Sequence, residues 1–497
     1  MESMLFWLFA IMGCTQPVPV DTTVPPRPDV FLPAELDPPF EHGNAVWAGV
    51  ALLDYDDDGW LDIFFTNGES QPNALYRNLG DGRFEDVAEE AGLASLSRHG
   101  GVASGDLDND GDADLVVTTE CSVGTLTESG EALPDGHLEV FLNEGDGTFS
   151  NAEIGADLEV LFPHGLCPIS LQLFDVDGDG VLDLSVDNGL DPDQVFPWVY
   201  RKEVREAVDQ VILGTGDGRF VEPLRLINTP GAEPESGDEI EFQFVSFTSA
   251  FIDLNGDGRV ERIVGYGGGP IAVFVQQEDG SLEIGSFYSD VGEGLWMGLA
   301  VADFDGDLDL DLYATNQGLS PLLLGYDNIP EPVDPDGPGI YPFHTMVMNN
   351  YGRLVRDTAW PIDAQWTLAG DMFDGLPDPK TGEPRYPQWM EPEGLARYSW
   401  AWGSVAIDYD SDGWADVAYN GNNCSAPMDI IWDESRGAGP GVLLRNLEGE
   451  AFRDVTWELG VQNIDGYGRY QDGRGMAVGD LNNDGFPDLV YANRTYN

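Results

Sequence analysis

Basic residues are scarce in this chain: 22 Lys and Arg stand against 90 Asp and Glu, which gives a net charge of −68 at pH 7. A surface of this sign repels nucleic acid and anionic lipid headgroups, so neither is an expected partner. Cysteine is also rare, with four residues, and no internal apolar run is long enough to span a membrane. The chain is still not a disordered acidic tail, because 42% of its residues are hydrophobic and 11% are aromatic.

The acidic residues concentrate in seven copies of one loop, D-x-(D/N)-x-D-G-x-x-(D/E), in which position 6 departs from glycine once, at Leu308. Positions 1, 3, 5 and 9 offer side-chain oxygens, and the backbone carbonyl of position 7 can join them, which is the ligand spacing of a calcium loop. Position 1 is Asp54, Asp106, Asp175, Asp253, Asp303, Asp408 and Asp480. Position 3 is Asp56, Asp108, Asp177, Asn255, Asp305, Asp410 and Asn482. Position 5 is Asp58, Asp110, Asp179, Asp257, Asp307, Asp412 and Asp484. Position 7 is Trp60, Asp112, Val181, Arg259, Asp309, Trp414 and Phe486. Position 9 is Asp62, Asp114, Asp183, Glu261, Asp311, Asp416 and Asp488.

These loops are not EF-hands, which need a bidentate Glu at position 12 and a helix on each side. Position 12 is apolar in every copy, as at Phe65 and Val117, and the flanks have the composition of strands. Each loop therefore joins two strands. An alternative interpretation is that the loops are only solvated acidic turns, but a turn does not need carboxylates at positions 1, 3, 5 and 9.

Alignment of the copies reveals a repeat with a core. The residue five positions before each loop is small, as at Gly49 and Gly101, and the residue three positions before it is nearly always small, as at Ala51. Because residues two apart share one face of a strand, one face is small and the other bulky. Most loops are followed by a hairpin pattern such as residues 76–87. Four strands per unit in seven units predict an all-β protein, a seven-bladed β-propeller with a calcium loop in each blade.

The repeats resemble FG-GAP/VCBS repeats, the calcium-loop blades also found in integrin α-subunit propellers. The segments at 297–316 and 474–493 are most similar to the cartilage-acidic-protein (ASPIC/UnbV-type) branch. The resemblance covers roughly residues 45–497 and implies the propeller and up to seven bound Ca²⁺ ions. Members of that branch usually continue into a C-terminal ASPIC/UnbV domain, which this sequence does not contain.

The N-terminus has the pattern of an export signal. Residues 4–12 form a short apolar run, and residues 11–14 resemble a bacterial lipobox that would place a lipid on Cys14. Plain secretion and a wrongly assigned start are the alternatives, because the leader carries Glu2 and no basic residue. We assign residues 1–14 to the signal peptide and lipobox, 15–40 to a Pro/Thr-rich tether and 41–497 to the propeller. The protein is expected outside the cytoplasm, on the cell surface or secreted, as a monomer touching a membrane only through Cys14.

The strand topology predicts on which rim of the propeller the cysteines and the long insertions lie. The connection after each second strand and the connection between blades lie on the rim opposite the calcium loops. Cys121 and Cys167 fall on that rim and either form a disulfide or remain free thiols, with Cys424 unpaired. Every long insertion is also a connection of that rim: 120–137, 187–210, 227–243, 316–345, 360–400 and 420–440. These insertions either build a binding surface or merely cap the channel.

Catalytic signatures are missing. No G-x-S-x-G, H-E-x-x-H, P-loop or G-x-G-x-x-G motif occurs in a fitting context, and the carboxylates are too many to nominate an acid/base pair. His42, His99 and His164 each precede a glycine ahead of a first strand; unequal spacing favours turn or packing roles over a transition-metal site. We predict no catalytic residue and a calcium-stabilised binder of protein or polysaccharide. The alternative is a calcium-dependent polysaccharide lyase or hydrolase.

Blade seven has only two predicted strands, 475–483 and 486–493, before the sequence ends at Asn497. Its edge would then lie open to pairing with other chains. The segment 28–43 precedes blade one as a fourth strand precedes each later blade. We therefore expect part of it, around Val30 to Leu36, to close blade seven as an outer strand.

Overall fold

The computed structural model describes residues 31, 34–40, 48–68, 71–119, 137–152, 166–190, 209–223, 226–227, 245–278, 280–285, 289–291, 294–316, 344–350, 352–356, 400–422, 441–463 and 471–494.

Small residues allow seven inner strands to pack closely around one axis. A Cβ added to Gly101 would lie 2.5 Å from the Ile169 carbonyl oxygen, on the next inner strand. A Cβ on Gly475 would lie 2.8 Å from the Ala48 oxygen. The predicted small position is thus where neighbouring backbones meet.

Each of the first six blades contains four antiparallel strands in sequence order, and a strand pairing joins blades four and five into one larger sheet. After β1 (Glu35–Asp37), blade one contains β2 (Val50–Leu53), β3 (Asp62–Phe65), β4 (Ala74–Asn78) and β5 (Arg83–Asp86). Blade two contains β6 (His99–Gly105), β7 (Asp114–Thr119), β8 (Leu138–Asn143) and β9 (Phe149–Ala152). Blade three contains β10 (Leu166–Phe174), β11 (Asp183–Leu190), β12 (Gln210–Gly214) and β13 (Phe220–Pro223), followed by β14 (Leu226–Ile227). Blade four contains β15 (Val245–Ile252), β16 (Glu261–Gly269), β17 (Ile271–Gln276) and β18 (Leu282–Ile284), followed by β19 (Ser289–Asp290).

Blade five contains β20 (Gly294–Ala302), β21 (Asp311–Asn316), β22 (Thr345–Asn349) and β23 (Leu354–Arg356). Blade six contains β24 (Trp400–Ile407), β25 (Asp416–Asn422), β26 (Val442–Asn446) and β27 (Phe452–Asp454). The seventh unit contains β28 (Asp472–Gly479) and β29 (Asp488–Arg494). Two single-turn helices, α1 (Ala88–Ala91) and α2 (Thr456–Leu459), follow the outer strands of blades one and six. Within the described ranges, neither helix has the length or apolar character that crossing a membrane requires.

The hydrophobic core is divided into seven clusters, and each lies between two neighbouring blades. Between blades one and two, for example, Phe64 and Leu75 pack with Leu115 and Phe141. The cluster that closes the ring joins Ile63 of blade one to Val490 of the seventh unit. Seven interfaces in a closed cycle confirm the predicted seven-fold β-propeller, with six blades of four strands and a seventh unit of two.

The predicted closing strand is wrong. Strand β1 pairs in parallel with β5 of blade one, with Glu35 opposite Arg83, and does not join the seventh unit. Phe40 stacks on Phe65 with ring centroids 4.8 Å apart, and the Tyr76 hydroxyl donates to the Pro38 carbonyl. Apolar side chains at the outer edge of blade one therefore hold this segment. The N–H of Phe31 donates to the Leu459 carbonyl in α2, which follows blade six.

The same parallel addition occurs in two other blades. Strand β14 pairs in parallel with β18 of blade four, and β19 pairs in parallel with β23 of blade five. In each case the segment that precedes a blade pairs with the outer strand of that blade. The chain therefore adds a fifth strand to three blades, which the sequence repeats did not indicate.

We expect Gly101→Val to lower the free energy of unfolding by about 1–3 kcal/mol or more, because the added side chain meets backbone that cannot move aside. Urea unfolding monitored by tryptophan fluorescence would measure the change. Ala94→Val, at an exposed position, is the control and should lie within about 0.5 kcal/mol of the wild type. Equal stabilities for the two variants would contradict the close strand approach.

Candidate metal centres in the seven loops

All seven loops adopt one backbone conformation. Two residues of each loop have positive φ, at positions 4 and 6, for example 56° at Asp57 and 88° at Gly59. Position 4 is always Gly, Asn, Asp or Ser, residues that are small or tolerate the left-handed region. Leu308 at position 6 of loop five has φ of 76°, so this loop keeps the shared conformation at the cost of strain.

Backbone N–H groups organise the carboxylate at position 1. In loop one, the N–H of Asp58 donates to Asp54 Oδ1 at 3.0 Å and the N–H of Gly59 donates to Asp54 Oδ2 at 2.9 Å. The N–H of Trp60, at position 7, donates to Asp58 Oδ1 at 3.0 Å. The position 7 bond recurs in all seven loops. Each carboxylate oxygen has a second lone pair, so these bonds leave ligand capacity.

The carboxylate at position 9 lies at the base of the loop and is buried in blades one to six. In blade two, Asp114 Oδ2 accepts the N–H of Leu107 at 2.7 Å and Oδ1 accepts the N–H of Asn143 at 2.8 Å. The bond to position 2 of the loop occurs in every blade. The bond to the third strand occurs in blades one, two, three, five and six. We call this residue the clamp, since it ties the loop to the third strand of its blade.

Carboxylates from separate positions converge in five of the loops. Three acidic side chains in each have ligand atoms within 4.8 Å of one another: Asp54, Asp56 and Asp58 in loop one, Asp106, Asp108 and Asp114 in loop two, Asp175, Asp177 and Asp183 in loop three, Asp303, Asp305 and Asp311 in loop five, and Asp408, Asp410 and Asp416 in loop six. In loops four and seven, position 3 is an amide, Asn255 or Asn482, which removes one carboxylate from the set. The predicted residues at positions 1, 3 and 9 are thus brought together in loops two, three, five and six, whereas in loop one position 5 takes the place of position 9.

The electrostatics of these sites favour a cation. Burial raises the pKa of Asp114 and Asp311 to about 7 and of Asp416 to about 8, despite the N–H groups that bond to them. Ionised forms of these carboxylates are therefore destabilised unless a positive charge lies nearby. Asp56 Oδ1 is buried and accepts no hydrogen bond from any described residue. Hard oxygen donors, one of which is buried and accepts no hydrogen bond, fit a hard divalent cation such as Ca²⁺.

A residue that the sequence analysis missed connects five of the loops to the next blade. The last residue of most third strands is Asn or Gln, and its side-chain amide donates to the carbonyl of position 2 in the preceding loop. The bonds are Asn78 to Leu481 at 2.6 Å, Asn143 to Tyr55 at 2.9 Å, Gln276 to Val176 at 2.8 Å, Asn349 to Leu254 at 3.0 Å and Asn446 to Phe304 at 2.9 Å. The recurring Asn before the hairpin glycine, as in residues 76–80, was the available signal. We call this residue the latch.

The described histidines have structural roles. His99 is fully buried and its Nδ1 lies 2.8 Å from the Asn73 amide nitrogen. Asn73 Oδ1 already accepts the Asn67 N–H, so Asn73 donates to His99 and the imidazole proton is placed on Nε2. This Nε2 lies 3.5 Å from Glu139, as an N–H rather than a metal ligand. His42, His164 and the side chains of Cys14, Cys121, Cys167 and Cys424 lie outside what the structure describes.

Comparison with known proteins agrees with the repeat architecture. The model of the FG-GAP-like repeat matches residues 54–117 and 253–314, and that of the FG-GAP repeat matches residues 473–497. The chain is 41% identical over 69 residues, 14% of its length, to cartilage acidic protein 1 of Xenopus tropicalis. It is 48% identical over 56 residues, 11% of its length, to cartilage acidic protein 1 of Homo sapiens. These matches span only 10% and 8% of the two relatives.

Two solved structures are similar at low identity. One is a lectin of Agrocybe aegerita that recognises non-reducing terminal N-acetylglucosamine, with 15% identity and a TM-score of 0.40 over 82% of this chain and 78% of that chain. The other is a rhamnogalacturonan lyase of Bacillus licheniformis, with 12% identity and a TM-score of 0.39 over 92% and 74% of the two chains. Similarity at this level carries no argument about what the chain binds.

We expect Asp114→Ala to lower the free energy of unfolding by about 2 kcal/mol or more both with calcium and in EDTA. The substitution leaves two buried N–H groups without an acceptor whether or not a cation is present. Asp110→Ala, at the exposed position 5 of the same loop, is the matched control. It should change stability in EDTA by less than about 0.5 kcal/mol, as exposed substitutions do. Urea unfolding under both conditions separates the two roles, and an effect of Asp114→Ala confined to calcium buffer would contradict the clamp.

Proposed function

We propose that this propeller of FG-GAP repeats binds Ca²⁺ in its seven loops and uses the ions as structural elements. The observation that carries the proposal is the convergence of three carboxylates within 4.8 Å in five loops on one rim. Positions 1, 3, 5 and 9 would supply side-chain oxygens and position 7 a carbonyl oxygen, the hard donors that Ca²⁺ prefers. Calcium would neutralise carboxylates that otherwise repel one another. Loop five, with Leu308 in the left-handed region, is expected to bind most weakly.

Calcium bound to the folded state alone stabilises it by mass action. One site contributes about 2.7 kcal/mol when free calcium exceeds Kd a hundredfold. Extracellular calcium modules commonly have Kd values of about 10⁻⁴–10⁻³ M. Such sites suit an extracytoplasmic protein, which agrees with the apolar leader and with the lipobox-like residues 11–14.

Calorimetry should therefore detect calcium binding at millimolar concentration, with up to seven ions per chain. EDTA should lower the melting temperature markedly, and calcium added in excess should restore it. Asp58→Ala should lower the melting temperature in calcium only in part, because one loop of seven is changed. A melting curve that EDTA leaves unchanged would show that the loops are turns without a metal.

For the ligand, we propose a protein or polysaccharide bound by the rim opposite the calcium loops, without catalysis. The second strands β7, β11, β21 and β25 all end on that rim, and long connections leave from their ends. The loop rim carries the metal loops and short hairpins such as residues 79–82. The described histidines are already engaged, since Nδ1 of His99, His137 and His344 lies within 3.0 Å of a hydrogen-bonding partner.

We expect shortening of residues 120–136 or 423–440 to a Gly-Ser turn to reduce ligand capture while leaving the melting temperature in calcium nearly unchanged. Glycan arrays and pull-down from extracellular protein mixtures, each with calcium and with EDTA, would identify the ligand. Replacement of the hairpin residues Asp81 and Arg83 by Ser, on the calcium rim, is the control. Loss of binding in that control alone would place the ligand on the other rim and overturn the proposal.

A further inference from the structure

In two of the seven loops, an arginine side chain of the same blade contacts the loop carboxylates. In blade one, Arg77 Nη2 lies 2.8 Å from Asp56 Oδ2 and 3.4 Å from Asp58 Oδ2. In blade six, Arg445 Nη2 lies 2.7 Å from Asp410 Oδ2 and 3.1 Å from Asp412 Oδ2. In both loops one guanidinium thus contacts the carboxylates of positions 3 and 5.

The arginine is a departure from the repeat. Arg77 and Arg445 immediately precede the latch residues Asn78 and Asn446 on the third strand. In blades two to five, the residue one position before the end of the third strand is apolar. These residues are Leu142, Leu213, Val275 and Met348. Arg259 of loop four also contacts a loop carboxylate, Asp257, but it lies at position 7 and the structure gives it no contact with position 3.

Blades one and six are also the two neighbours of the seventh unit. Loop seven contacts blade one directly, since the Asn78 amide donates to the Leu481 carbonyl and the Asn483 amide donates to the Gly59 carbonyl. On the other side, Tyr409 of loop six packs in the cluster shared with Val478 and Leu489. The two loops whose arginine contacts position 3 therefore border the unit that has only two described strands.

We propose that Arg77 and Arg445 are affinity-determining residues that hold loops one and six in shape without calcium and weaken calcium binding there. This inference rests on the proposed calcium binding. An arginine offsets part of the repulsion among the carboxylates before the ion binds, and its charge repels the incoming ion. The ion and the arginine can be present together, because Arg77 contacts Asp56 Oδ2 and leaves the buried Oδ1 of that residue without a hydrogen bond.

The loops therefore differ in whether they need calcium to keep their conformation. Loops two, three and five depend on calcium for their shape, whereas loops one and six keep theirs when calcium is removed. Because loops one and six border the seventh unit, the ring would stay closed at its smallest blade while other loops loosen.

Hydrogen exchange of the wild-type protein in EDTA tests the first half of the proposal. The N–H groups of Asp58 and Gly59 in loop one should exchange several-fold more slowly than those of Asp110 and Gly111 in loop two. Arg77→Leu, which installs the residue found in blade two, should remove this difference, and Arg77→Lys should restore part of it. Equal exchange in loops one and two of the wild type would overturn the proposal, even in a protein that binds no calcium.

Calcium titration tests the second half. Arg445→Leu should lower Kd for one site roughly two- to fivefold, the range expected for a partly exposed charge pair. Arg453→Leu is the matched control, because it removes one charge from the same hairpin where Arg453 pairs with Glu458. Weaker binding in Arg445→Leu than in the control would show that the arginine positions ligands instead, and would overturn the proposal. Absence of any calcium binding would defeat the proposed function, whereas the exchange experiment would still report on the arginines.

Discussion

The structure depends on the buried carboxylate at position 9. A loop that turns between two inner strands leaves backbone N–H groups inside the blade, where water cannot reach them, and unpaired buried donors are costly. One aspartate meets two of these donors, the N–H of position 2 in the loop and the N–H at the end of the third strand. Asp62, for example, bonds to Tyr55 and Asn78 at 3.1 and 2.7 Å. Position 9 is therefore a structural residue as well as a candidate ligand.

The latch extends this local arrangement around the ring. The residue at position 2 donates its backbone N–H to the clamp of its own blade, and its backbone carbonyl accepts the latch amide of the next blade. A loop that changes shape consequently moves a hydrogen-bond acceptor at a blade interface. Blade three has glycine in place of the latch, at Gly214, and there the backbone N–H of Gly218 donates to Leu107 instead, at 3.2 Å. The contact is thus kept even where the side chain is missing.

Features that recur in all seven copies could be predicted from the sequence, because repetition distinguishes a constraint from chance. The small residue five positions before each loop and the side-chain oxygens at positions 1, 3 and 9 are of this kind. Position 9 was interpreted only as a ligand, since spacing does not show which oxygens the backbone uses. Strand β1 was assigned to the wrong blade because three residues carry no periodicity, and its place is decided by Phe40 and Tyr76 of the tertiary structure. The contacts of Arg77 and Arg445 could not be predicted from the sequence, because a single residue within a strand forms no motif.

The interface between blades three and four shows how one departure from the repeat requires another. The residue after position 9 is aliphatic in six blades but Arg262 in blade four, and this side chain is fully buried. Its guanidinium lies 2.5 Å from Asp187 and 3.2 Å from Asp209, both of blade three, while its Nε donates to Ser185. Asp187 stands where Thr66 and Thr118 stand in blades one and two. Removal of one partner of a buried ion pair costs about 3–5 kcal/mol. Arg262 without Asp187, or Asp187 without Arg262, would therefore destabilise the interface. Arg262 and the two aspartates therefore compensate one another across this interface, in addition to the hydrophobic packing that it shares with the other blade interfaces.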